Sequence, residues 1–263
     1  MHTFIHRLRP VIAAASLLTA TISWGAIESH DLTIRGSDAI FLAGRTDVVI
    51  PAASDAWTTG SHLIRHPGPT PEEIQETMPS FINVAAGDVI RVLDPASGGI
   101  NFFNGFGPPF FGPAGNTTGG SDLTSLDGIS GYKGPQGALA GVFLNDDIPN
   151  GAVAPGTLDF TGALADAGSL TPLLGQVFYI GSGVTSAAAF KQFIAPTGAT
   201  RLFFAIPDGF GFGGAPGAYD DNDGAYRIVV GINQLPVPEA DTYAMLALGL
   251  GALVMVARRR RTL

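Results

Sequence analysis

The chain has 263 residues, with 36 Gly, 19 Pro and no Cys; 46% of its side chains are hydrophobic and 14% charged. The absence of Cys excludes disulfide frameworks, thiolate metal sites and Cys nucleophiles. The sparse charge argues against a coiled coil, and the apolar content argues for a packed, turn-rich core. Net charge is −8, but between Ala26 and Leu235 there are 20 acidic and 8 basic side chains, a balance of −12. Such a body repels phosphate backbones, so nucleic acid is not an expected partner, whereas divalent cations are tolerated.

Taken in chain order, residues 1–25 read as a secretory signal peptide. Arg7 and Arg9 form a positive n-region, Val11 to Ile22 is apolar, and Ser23 and Gly25 are small residues at the spacing a signal peptidase reads. Residues 26–235 then alternate short apolar, β-branched or aromatic runs with Gly/Pro/Asn/Asp turns. This pattern predicts strands at Leu32–Arg35, Asp47–Ile50, Phe81–Ala85, Asp88–Leu93, Gly141–Leu144, Gln176–Ile180, Arg201–Ile206 and Tyr226–Ile232. The expected fold is all-β, an antiparallel sandwich of jelly-roll or galactose-binding-like type, in one domain over 26–235. One short helix is expected at Thr70-Pro71-Glu72-Glu73, with a capping residue, Pro at the first position and Glu three later.

Few stretches carry a catalytic pattern. His62 and His66 have i, i+4 spacing but lack the Glu of a metalloprotease motif, and solvated loop histidines are the simpler reading. Gly128-Ile129-Ser130-Gly131-Tyr132 lacks the last Gly of a nucleophile elbow. Gly209 to Gly214 imitates a nucleotide loop but opens no helix. The paired acids Asp146-Asp147 and Asp220-Asp221 sit in Gly-rich turns, where surface or metal-binding roles outnumber catalytic ones, so no enzyme is expected and a polysaccharide hydrolase is the third reading. Phe102, Phe103, Phe106, Phe110 and Phe111 lie among Gly, Pro and Asn, as core caps or as faces for sugar stacking.

The strongest local signal is the acidic turn before the last strand. Asp208 closes Arg201–Ile206, and Tyr219-Asp220-Asp221-Asn222-Asp223-Gly224 leads into Tyr226–Ile232. Crowded carboxylates repel one another, and a hard cation that takes about six to eight oxygen ligands removes that repulsion. The stretch lacks the spacing of an EF-hand, and on composition alone a solvated acidic turn is the simpler reading.

After the body, Val237-Pro238-Glu239-Ala240 precedes an apolar run from Tyr243 to Ala257, followed by Arg258, Arg259, Arg260 and Arg261. As a helix the run is about 22 Å long at ~1.5 Å per residue. It is a short transmembrane helix against a hydrocarbon core of roughly 30 Å, with the arginines cytoplasmic and the body outside the inner membrane. This three-part layout over residues 236–263 resembles the PEP-CTERM sorting signal, although Pro-Glu-Ala stands where that family usually has Pro-Glu-Pro. The resemblance implies a Gram-negative envelope, processing by an exosortase, and an exopolysaccharide context. It also implies export across the inner membrane, anchoring through the C-terminal helix before processing, and then the cell surface or extracellular matrix.

The body resembles the small calcium-dependent galactophilic lectins of pseudomonads. The matching pieces are Gly87-Asp88-Val89-Ile90, Phe111-Gly112-Pro113, Gly137-Ala138-Leu139, Phe193-Ile194-Ala195-Pro196, Gly198-Ala199 and Gly217 to Gly224. That resemblance implies Ca2+ held by side-chain oxygens of Asp208, Asp221 and Asn222 and by the carbonyls of Ala218 and Phe111, with two sugar hydroxyls completing the shell. Thr124 and Asp127 occupy the positions of the family's sugar-contacting His and Gln, so galactose specificity does not transfer. The function implied is calcium-dependent carbohydrate binding, with exopolysaccharide as ligand; the alternative is a structural matrix protein whose calcium only pins loops.

Overall fold

The computed structural model describes residues 28–52, 76–103 and 108–234, and for Asp220 the backbone only. The expected signal peptide at 1–25, His62, His66, the Thr70–Glu73 helix, Phe106 and the segment 236–263 lie outside the described residues.

Among the described residues twelve strands alternate with loops and short 3-10 turns. They are β1 (Glu28–Arg35), β2 (Ser80–Asn83), β3 (Val89–Asn101), β4 (Asn116–Leu123), β5 (Tyr132–Gln136), β6 (Ala140–Leu144), β7 (Ser169–Leu170), β8 (Val177–Tyr179), β9 (Gln192–Ile194), β10 (Arg201–Ala205), β11 (Gly213–Gly214) and β12 (Asp223–Ile232). They form a five-stranded sheet in the order β1-β12-β3-β9-β7, a four-stranded sheet β2-β10-β6-β8 and a three-stranded sheet β11-β4-β5. The all-β expectation therefore holds, but there are three sheets where two were expected. Two pairings, β7 with β9 and β11 with β4, are parallel.

The strands follow from their side-chain patterns. In β12, Tyr226, Ile228 and Val230 alternate inward and are all buried, as a strand with one covered face requires. All five residues of β6, Ala-Gly-Val-Phe-Leu, are buried, because this strand is covered on both faces. Phe178 of β8 packs on Phe193 of β9 with ring centroids 5.0 Å apart, joining the four- and five-stranded sheets. Phe160 bridges to the third sheet, 6.2 Å from Tyr132 of β5 and 5.9 Å from Tyr179 of β8. Each such ring contributes roughly 1.5–3 kcal/mol by leaving water.

Two expectations need correction. Asp47–Ile50 is turn and coil, not strand. Asp47 turns back to accept from Arg45 Nε at 2.8 Å, and Val49 is left 87% exposed. β4, with the sequence Asn-Thr-Thr-Gly-Gly-Ser-Asp-Leu, was not expected, and its extended form comes from β5 on one edge and β11 on the other.

The ends of β1, β3 and β12 meet closely. Gly224 has φ +92°, and a Cβ there would lie 2.2 Å from the carbonyl oxygen of Gly99. Only glycine allows this approach of the two backbones. Gly36, just beyond β1, donates its N–H to Gly224 O at 3.0 Å. That crowded end is where the acidic turn begins.

Candidate functional site

β10 delivers Asp208 from the four-stranded sheet, and the 3-10 turn Tyr219–Asp221 delivers Asp221 and Asn222 at the entrance to β12. All three are buried, at 2%, 8% and 3% exposure. The backbone around them is tied down: Asp208 N donates to Tyr219 Oη at 3.0 Å, and Gly217 N donates to Asp208 O at 3.0 Å. Burial raises the Tyr219 hydroxyl pKa well above its ordinary value, and the charge of Asp208 adds to this.

The carboxylate of Asp208 accepts from Gly209 N at 2.7 Å on one oxygen and from Asn222 Nδ2 at 2.9 Å on the other. The same Nδ2 donates to Gly36 O at 2.9 Å. Both amide protons of Asn222 thus point at acceptors, which sets the orientation of the amide. Its Oδ1 is buried and has no hydrogen-bond partner among the described residues. A buried acceptor in that condition costs about 1–3 kcal/mol.

Asp208, Asp221 and Ala218 line a cleft of about 170 Å³ together with Phe102, Phe103, Phe210 and Phe212. Ala218 has φ +61°, the left-handed conformation, where the loop folds back before the 3-10 turn. Phe102 is buried and packs against Phe103 at 4.9 Å, Phe111 at 5.0 Å and Phe212 at 5.9 Å between ring centroids. Phe103 and Phe210 remain 42% and 62% exposed. The cleft combines two carboxylates with aromatic rings in its lining.

Among the residues expected at the site, Asp208 and Asn222 touch, and Asp221 and Ala218 line the cleft with Asp208, whereas Asn222 stays behind it. The Phe111 carbonyl is directed elsewhere. It accepts from Ile100 N at 3.0 Å and lies 3.3 Å from Tyr226 Oη, so it sits within the β3 and β12 packing. Thr124 donates through N and Oγ1 to Gly214 O at 2.7 and 3.1 Å, placing it beside the loop that carries Phe210 and Phe212. Asp127 is bound by Arg45 Nη1, in a cluster where Arg45 also donates to Asp47 at 2.8 and 3.0 Å. Hydrogen bonding to Arg45 holds the Asp47 carboxyl at about 2. Burial works against the Arg45 charge, but the bonds to Asp47 and Asp127 outweigh it and raise its pKa. Asp127 is therefore an ion-pair partner of Arg45.

Other motifs resolve into structure. Ser130 Oγ donates to Gly131 O at 2.9 Å and accepts from Val177 N at 2.9 Å, fully buried, so the elbow-like stretch holds β8 in place. Asp146 accepts from Thr200 Oγ1 and Asp147 from Asn145 Nδ2, both at 2.7 Å, in a surface turn. Sequence reasoning missed the cleft role of Phe210 and Phe212, whose one signal is two large rings inside an otherwise all-glycine loop. It also missed the Gly36 carbonyl, which has no sequence signal.

Among the described residues no three His, Asp or Glu side chains gather closely enough to hold a metal ion. Among them, too, no helix is long and apolar enough to cross a membrane. No curated protein and no solved structure matches the chain, and nothing supports a likeness of the body to the galactophilic lectins. Residues 236–261, which include Pro238, Glu239 and Arg258 to Arg261, match the family described as the PEP-CTERM protein-sorting motif. The chain therefore carries at its C-terminal end the sorting motif of proteins that are exported to the cell surface, a motif that implies processing by exosortase.

Proposed function

We propose that this exported β-protein binds calcium at Asp208, Asp221 and Asn222 and, over that ion, a carbohydrate of the extracellular matrix. The observation that supports the reading is the buried Asn222 Oδ1, an acceptor without a donor, on the side chain that touches the Asp208 carboxylate. Two carboxylates and an amide oxygen are hard donors of the kind calcium takes, and they leave positions for hydroxyls or water among its roughly six to eight ligands. Phe103 and Phe210 are exposed aromatic residues of the cleft lining, of the kind against which the C–H face of a sugar can lie. Chemistry on the ligand is not part of the proposal; the site holds and does not cleave.

One such contact is weak, and useful binding comes from many copies displayed on a surface facing a repeating polymer. Calorimetric titration of calcium into chelator-treated protein, followed by a glycan array with and without calcium, tests the reading. Calcium uptake with calcium-dependent glycan binding is the expected result. A calcium-induced rise in melting temperature with no glycan bound would instead make the ion a loop pin of a structural matrix protein. No calcium uptake would remove the site altogether.

A further inference from the structure

β1 is the edge of the five-stranded sheet: β12 pairs with one side of it, and among the described residues no strand pairs with the other. Gly36, in step with the strand, donates its N–H to Gly224 O at 3.0 Å. Backbone groups alternate in direction along an antiparallel strand, so His30, Leu32 and Ile34 bond toward β12. Ser29, Asp31, Thr33 and Arg35 therefore direct their N–H and C=O outward. Arg35 is satisfied locally, since its N donates to Asp38 Oδ2 at 2.8 Å and its O accepts from Asp38 N at 3.0 Å. Among the described residues the outward backbone groups of Ser29, Asp31 and Thr33 have no partner.

Such an edge is a template for another strand, and proteins that avoid pairing blunt it with Pro, Lys or a bulge. β1 has the sequence Glu-Ser-His-Asp-Leu-Thr-Ile-Arg, with no Pro and no Lys, and its register on β12 runs without a shift. Ser29, Asp31 and Thr33 are exposed and Leu32 is half-buried.

We propose that β1 pairs with β1 of a second copy of this chain, antiparallel across a two-fold axis at Leu32, so that the two five-stranded sheets become one continuous sheet. The axis position follows from hydrogen bonds and charge. At Asp31 it would set two carboxylates directly opposite each other, and at Thr33 it would call on the Arg35 groups that Asp38 already holds. At Leu32 the open groups of Asp31 meet those of Thr33 of the second copy, twice over by symmetry. On the outward face the Thr33 hydroxyl then stands opposite the Asp31 carboxylate of the other copy, with Arg35 on the diagonal, a distance long side chains span. Arg227, the β12 neighbour of Thr33, adds positive charge on the same face. On the inward face Leu32 meets Leu32. Pairing of this kind doubles the number of clefts per particle, which strengthens attachment to a repeating polymer, but it does not depend on the calcium reading.

The native absence of Cys lets single cysteines report the register. Leu32 would be a non-hydrogen-bonded pair with Cα atoms about 4.5 Å apart, within disulfide reach. The two cysteines of Asp31→Cys would be diagonal neighbours at about 7–8 Å, beyond it. Full-length Leu32→Cys and Asp31→Cys are each oxidised in intact cells with diamide, which takes up the two thiol hydrogens, then alkylated and run on a non-reducing denaturing gel. The expected result is a covalent dimer as the main species for Leu32→Cys and several-fold less for Asp31→Cys. Thr33→Pro in the Leu32→Cys background removes an outward N–H and no bond to β12, so it should abolish the dimer while the circular dichroism spectrum stays that of the parent. Absence of dimer from Leu32→Cys, equal yields at the two positions, or a yield that survives Thr33→Pro would overturn the proposal. If the proline unfolds the chain, the comparison of the two cysteine positions decides by itself.

Discussion

The side-chain amide of Asn222 stands 2.9 Å from the carboxylate of Asp208, 14 positions earlier in the chain. Asp208 follows β10 of the four-stranded sheet and Asn222 precedes β12 of the five-stranded sheet. One hydrogen bond therefore stitches the ends of two sheets at Asp208, which lines the cleft. Asn222→Ala leaves the Gly36 carbonyl and one Asp208 oxygen without this donor, at an expected cost of roughly 1–3 kcal/mol. Urea denaturation of the chelator-treated variant measures it; a midpoint equal to wild type would show that the stitch contributes nothing.

Asp221→Asn separates ion binding from stability. The substitution keeps the shape and removes one of two carboxylates that share the cleft. Calcium should raise the melting temperature of the wild type and leave that of Asp221→Asn unmoved. A calcium response retained in the variant would place the ion elsewhere.

Tyr226 is a second fastening point. It is fully buried, and its hydroxyl donates to Gly137 O at 2.8 Å and lies 3.0 and 3.3 Å from the oxygens of Gly112 and Phe111. Burial holds its pKa above the ordinary tyrosine value. Tyr226→Phe removes the only proton these carbonyls share at that point, and the loss should be about 1–3 kcal/mol. Equilibrium unfolding of the variant is the check, and a change within error of zero would contradict it.

Lys191 sets the alkaline behaviour. Its ammonium is buried, donates to Ala165 O at 2.7 Å and Ile180 O at 3.3 Å, and lies 4.4 Å from the centre of the Tyr179 ring. Burial pulls its pKa down from 10.5 to about 8, with the charge of Asp166 opposing. Between those values the unfolded chain keeps a proton that the folded chain has lost, so stability rises with pH across the window. Tyr132, Tyr219 and Tyr226 act in the opposite sense above their ordinary value of 10.0, because burial keeps them protonated after the unfolded chain has ionised. Melting temperature should therefore climb from about pH 8 to about 10 and then fall. Lys191→Met should flatten the climb; a slope that persists in that variant would assign it to another group.

Tyr226–Ile232, Arg201–Ile206 and Gly141–Leu144 could be read from sequence because their apolar residues follow strand patterning, and each lies largely within a strand of the structure. β4 could not, since its Gly- and Asn-rich residues have little preference for extension and its edges are supplied by β5 and β11. The same divide runs through the site. Asp208, Asp221 and Asn222 stood out because they crowd the ends of two strong strands. The fates of Phe111 and Asp127 did not, because their partners Tyr226 and Arg45 are 115 and 82 positions away.

The amino-acid sequence by itself determined the β-rich character of the body, the sorting motif at 236–261 and the acidic turn, all properties of neighbours along the chain. Only the tertiary structure decided that there are three sheets, that Asn222 faces Asp208, and that Arg45 claims Asp127. Those outcomes depend on which distant donors and rings compete for each buried oxygen and apolar face, and that competition is settled only when the sheets close over a common core.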